Sequence, residues 1–175
     1  MASYGAWFEA VSDHRRGRHL VAARECAEYR KNWPDEFYAA ECLVLMGDAY
    51  GAAGRSSAAA AAYAEYLEEH PDSPREEELK LAHVLALASF APSTAIPRLH
   101  ELMLSHSYPS TDLAARSALQ TLEAAGHAVD LPDDPRSKMR RANSLRRSGQ
   151  FESSWALFQE LAEIAETNNE VAAWV

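Results

Sequence analysis

Six cations fall within twelve residues of an otherwise acidic chain: Arg136, Lys138, Arg140, Arg141, Arg146 and Arg147. Arg136, Arg140, Asn143 and Arg147 are spaced four, three and four residues apart, so on an α-helix they share one face. Such a row can hold the acidic groups of a ligand. The same charges also have a structural use. Glu152, Glu160, Glu163 and Glu166 recur in the next helical pattern, and ion pairs between two exposed helices contribute about 0–1 kcal/mol each. In neither reading does this segment catalyse a reaction.

Tyr4, Trp7 and Val11 form a second candidate surface, an apolar and aromatic stripe at helical spacing. A stripe of this kind is core when covered and an interaction patch when exposed, since Tyr, Trp and Arg dominate binding energetics. The remaining reactive side chains form no catalytic constellation. His14 and His19 are five residues apart and His100 and His106 six, which misses the spacing that sets two metal ligands on one helical face. The histidines are expected on the surface or along a groove. Glu76, Glu77 and Glu78 open a helical pattern, where the macrodipole favours negative charge. Cys26 and Cys42 have no CxxC partner and no metal-spaced histidine, and are expected as small buried hydrophobes. A phosphate-cradling glycine loop, a GxSxG elbow and an HExxH pair are all missing. The expectation is a protein that is not an enzyme and takes no cofactor and no metal.

The elements that position these residues are helical throughout. In residues 40–73, Leu43, Met46, Gly47 and Tyr50 put one apolar stripe on one helical face, thinned at Gly47. After Gly51, Gly54 and the Ser56–Ser57 pair, Ala59 and Tyr63 open a second helix, and Pro71 closes the stretch. The expected match sets small Ala59 against thin Gly47 and the Tyr63 ring elsewhere. Gly17, Ala22, Tyr29 and Pro34 each recur 37 residues later as Gly54, Ala59, Tyr66 and Pro71.

This stretch resembles the tetratricopeptide repeat, W-x2-L-G-x2-Y, then A-x3-F, then P over about 34 residues. Leu43, Met46, Gly47, Tyr50, Ala59, Tyr63 and Pro71 carry the likeness, with Leu43 in place of the tryptophan. Weaker copies cover residues 3–36, 74–107 and 135–168; in the last, Ala142 replaces the glycine and Leu145 the tyrosine. The resemblance implies an all-α, right-handed α-solenoid of antiparallel helix hairpins, a superhelix of about nine to ten helices.

Along the chain, helices are expected at Ser3–Arg15, Arg18–Lys31, Pro74–Phe90, Thr94–His106 and Thr111–Ala125, besides the two of residues 40–73 and the pair after Pro135. Ser73-Pro74-Arg75-Glu76 carries the composition of a capped helix start, and Gly126 that of a C-cap. Residues 1–126 read as an N-terminal sub-array of three units plus the extra helix 111–125. Residues 127–134 read as an out-of-step loop, either a hinge or a helix pair whose second member shrank to a loop. Residues 135–175 read as a final unit plus the start of a further helix, which either caps the array or continues it.

The net charge of −9 argues against wholesale binding to nucleic acid or anionic membrane, which needs Lys and Arg to neutralise phosphate. No apolar run approaches a membrane span, no leader of secretory type stands at the start, and a cytoplasmic location is expected. In the family that the chain resembles, first-helix faces line a concave groove for peptide ligands, and some members clamp a terminal carboxylate there with Lys, Arg and Asn. Arg140 and Asn143 resemble part of that clamp, but Glu41, Val44 and Asp48 occupy the corresponding face of the 40–73 unit. The expected function is a non-catalytic scaffold that binds a peptide or helix of a partner protein, with Trp7 at one end and Arg136, Arg140, Asn143 and Arg147 holding acidic groups. The alternatives are a self-associating homo-oligomeric scaffold and a regulatory domain of a larger signalling or transcription protein.

Overall fold

Apolar residues recurring every three or four positions fold as nine α-helices among the described residues. They are α1 (Ala2–Arg15), α2 (His19–Asn32), α3 (Tyr38–Ala52), α4 (Ser56–Glu69), α5 (Glu76–Ala88), α6 (Pro92–Ser105), α7 (Pro109–Ala124), α8 (Pro135–Arg147) and α9 (Phe151–Thr167). This computed structural model describes residues 2–105, 109–130, 134–147 and 149–167, and no strand occurs among them. The expected helix start at residues 170–175 and the end of the 94–106 helix at His106 lie outside the described residues. Residues Met1–Ala95 and Ile96–Val175 form two compact units.

In the first unit the chain repeats itself. α2 and α4 begin and end 37 positions apart, and so do the ends of α1 and α3. Gly17 and Gly54 close the two hairpins at φ 78° and 71°, a left-handed conformation that costs glycine nothing and a branched residue much. In each turn the residue after the glycine donates its amide back five residues, Arg18 to the Asp13 carbonyl (2.9 Å) and Arg55 to the Tyr50 carbonyl (2.8 Å). This Schellman pattern satisfies carbonyls that the helix end would otherwise strand. Each second helix then stops with an amide returned to a buried tyrosine, Trp33 to Tyr29 (2.8 Å) and His70 to Tyr66 (2.9 Å).

Consecutive helices from α1 to α5 pack on one another. α3 is covered on two sides, and its sequence shows why: Ala39, Cys42, Leu43, Val44, Leu45, Gly47 and Ala49 are all buried, nearly all round the helix. One cluster joins Cys26 and Tyr29 of α2 to Cys42 and Leu45 of α3; another joins Leu43 and Val44 to Tyr63 and Tyr66 of α4 and Leu79 of α5. A fully buried leucine such as Leu43 or Leu79 contributes about 1.5–3 kcal/mol. Charge follows the stacking, since Arg30 of α2 bonds Glu65 (2.5 Å) and Glu69 (2.8 Å) of α4.

The thin face of α3 is filled differently from the expectation. The Tyr63 ring, not Ala59, lies over Gly47, while Ala59 approaches Gly51, whose added Cβ would stand 4.0 Å from the alanine methyl. Gly47 and Ala59 are both buried. Helix starts shift slightly as well. Pro74 and Arg75 form a turn in which the Ser73 hydroxyl accepts the Arg75 amide at 3.2 Å, and α5 begins only at Glu76. α6 begins at Pro92, where proline leaves no amide without an acceptor.

In the second unit α8 and α9 form a hairpin closed by Gly149 (φ 79°) with the same returned amide, Gln150 to the Leu145 carbonyl (2.9 Å). Two buried hydroxyls tie α8 in place: Ser144 donates to the Met103 carbonyl of α6 (2.9 Å) and Ser154 of α9 to the Ala142 carbonyl (2.8 Å). α7 ends in the same cap, Gly126 at φ 89° with His127 bonded back to Leu122 (3.0 Å). No helix follows in residues 127–130, and α8 starts at Pro135. The α7 cap repeats the pattern of the Gly17, Gly54 and Gly149 turns.

Candidate functional site

α8 is started by its own sequence. Asp134 accepts the Ser137 amide at 3.0 Å and the Ser137 hydroxyl at 2.5 Å, and Pro135 follows as first helical residue. The Ser137 bonds hold the Asp134 carboxyl below the usual carboxylate range. From there the 3.6-residue period sorts the cations. Lys138 faces α9 and bonds Glu160 at 3.0 Å; Arg141 turns toward α6 and α7; Arg136, Arg140 and Arg147 stand together on the outer face, all exposed.

The helix-to-helix ion pair expected of the basic helix is present, on one residue. Lys138 makes the helix-to-helix ion pair. Arg136, Arg140 and Arg147 make none among the described residues, and Glu152, Glu163 and Glu166 do not pair with them. Asn143 lies on the same face but is engaged locally: its side-chain amide donates to the Met139 carbonyl (3.1 Å), and its oxygen accepts from Arg146 at 3.5 Å.

The α1 stripe divides. Trp7 stacks on Tyr38 at 5.1 Å with the rings 13° from parallel, and with Val11 it packs against the Cys26–Cys42 cluster. Tyr4 is 55% exposed and lies 4.5 Å from the Phe8 ring. Phe37, 80% exposed, meets Tyr38 edge-on at 5.2 Å. The surface thus includes Phe8, Phe37 and Tyr38, which sequence spacing did not single out; Phe8 carried a signal, four residues after Tyr4 on a helical face.

Two histidine placements add to what spacing shows. His14 and His19 are too far apart for one helix face, yet the Gly17 turn brings their Nδ1 atoms to 3.2 Å. No group of three metal-binding side chains occurs among the described residues. His100, 4% exposed, lines a groove with residues of α6, α7 and α8, and burial lowers its pKa. Cys26 and Cys42 are fully buried and free, as expected, and the hydrogen bond with Cys42, then burial, raises the Cys26 thiol pKa. No described helix is long and apolar enough to cross a membrane.

Compared with known proteins, the chain matches no family model and no curated sequence.

Proposed function

We propose that this chain is a tetratricopeptide-like helical repeat protein that catalyses nothing and binds a partner protein, holding an acidic peptide segment or helix along α8. One observation carries the reading. In a chain of net charge −9, three guanidinium groups, Arg136, Arg140 and Arg147, stand exposed on one face with no ion pair among the described residues. Guanidinium groups suit carboxylates because their donors form a planar fork that takes both oxygens. In the family resembled, peptides lie on first-helix faces, and α8 precedes the Gly149 turn of its hairpin, as a first helix would. Tyr4, Phe8 and Phe37 supply an aromatic surface on which such a partner can also dock. The acidic surface suits a protein of the cytoplasm.

The test is an array of acidic peptides probed with the whole chain and with the Arg140→Glu, Arg147→Glu double variant. Loss of binding in the variant supports the reading. Retained binding removes α8 from it.

A second reading, self-association, is favoured by α9. Phe151 and Trp155 are 67% and 65% exposed and four residues apart, an aromatic pair on one face that a second copy can cover. Light scattering at twice the monomer mass, abolished by Trp155→Ser, would select it.

A further inference from the structure

α7 ends at the Gly126 cap, no helix follows in residues 127–130, and a cavity of about 430 Å³ opens at that place. It is lined by His100 and Met103 of α6, Leu119 of α7, Val129 of the loop and Arg141 of α8. Leu119 stands seven residues before Gly126. The residues seven before the other turn glycines are Ala10, Gly47 and Ala142, all buried in their hairpins.

Two polar groups in its wall lack partners among the described residues. His100 is 4% exposed and bonds the Val129 carbonyl, but its Nε2 has no hydrogen-bond partner; the Nε of Arg141 is buried with no acceptor. Unpaired buried polar atoms are destabilising, and the group that best completes the Arg141 donor is a carboxylate. We propose that this cavity binds a small monocarboxylate with an apolar body, its carboxylate held by Arg141 and His100 and its body against Met103, Leu119 and Val129. The lining selects against more highly charged anions. Glu123 and Asp130 stand exposed at the rim, and Arg116 is already bonded to Asp112 at 2.9 Å. A carboxylate beside His100 favours the protonated ring, so binding takes up a proton and tightens as pH falls. The other charged or titratable groups facing the cavity are Arg116, Glu123, His127, Asp130 and Arg141.

The experiment is a titration of the ¹⁵N-labelled full chain with hexanoate, hexylamine and inorganic phosphate, followed by amide and arginine Nε–H resonances. Hexanoate is expected to shift the Arg141 Nε–H signal and the amides around Met103, Leu119 and Val129 to saturation, while hexylamine and phosphate leave them in place. Arg141→Gln should weaken hexanoate about tenfold or more, and Glu123→Gln, at an exposed position, should tighten it about two- to threefold. Equal shifts with hexylamine, no saturable shift with hexanoate, or unchanged affinity in the folded Glu123→Gln protein would each overturn the proposal.

Discussion

The ring of Tyr63 lies across Gly47: a Cβ built on the glycine would stand 2.6 Å from the ring Cζ and 2.7 Å from Cδ1. The tyrosine cannot readily yield, because its hydroxyl donates to Asp48 at 2.6 Å and the side chain is 6% exposed. Alanine in mid-helix ordinarily gains up to about 1 kcal/mol over glycine. Here overpacking, about 1–3 kcal/mol, opposes and exceeds that gain. Gly47→Ala is expected to lower stability by about 1–2 kcal/mol in urea unfolding, with the loss largely relieved in a Tyr63→Leu background. A stabilised Gly47→Ala protein would contradict the packing.

Ser154 and Ser144 each donate to a buried carbonyl, of Ala142 and Met103. Replacing either with alanine removes a buried hydrogen bond, and a loss of about 1 kcal/mol is expected for each. Lys138→Ala, which breaks only the exposed pair with Glu160, should cost less than about 1 kcal/mol. Denaturant midpoints of the three variants compare them directly.

His100 titrates below its ordinary value of 6.5, chiefly because burial disfavours the charged ring. The unfolded chain therefore binds more protons than the fold just below pH 6.5, and stability declines as pH falls through that value toward the lowered pKa. Tyr63 behaves oppositely: burial, and then Asp48, raise its pKa above the ordinary 10. Its contribution is complete below pH 10 and is lost as pH rises toward the raised pKa. Stability against pH should fall at both edges, with the alkaline fall reduced in Tyr63→Phe and the acid fall reduced in His100→Gln.

Cys26 and Cys42 are sealed between α2 and α3. A thiol reagent is expected to label them slower than free cysteine by a factor on the order of 10³ or more, at a rate that rises with denaturant. Rapid labelling in the native protein would show that the cluster opens locally.

What was legible in the sequence was what one helix reports about itself. The period of Leu43, Met46 and Tyr50, the glycines at 17 and 54, and the shared face of Arg136, Arg140 and Arg147 all follow from 3.6 residues per turn. What was not legible depended on how one helix meets another. The geometry of the Gly54 turn sets which residue of α4 reaches Gly47, so Tyr63 arrives where Ala59 was expected. The Gly17 turn folds His14 onto His19, although their spacing within a helix forbids it. Charge alternation showed that α8 and α9 could pair, but not that Lys138 would take the partner and leave the arginines outside. The buried His100 needed the loop at Val129, whose path no periodicity records.

The most direct measurement is the anisotropy of a fluorescent, helix-forming acidic peptide titrated with the whole chain at low and at physiological salt, alongside the Arg140→Gln, Arg147→Gln variant. The account predicts saturable binding that weakens with salt and falls about tenfold or more in the variant. Equal affinity for wild type and variant, or equal affinity for a peptide with its acids replaced by glutamine, would contradict it.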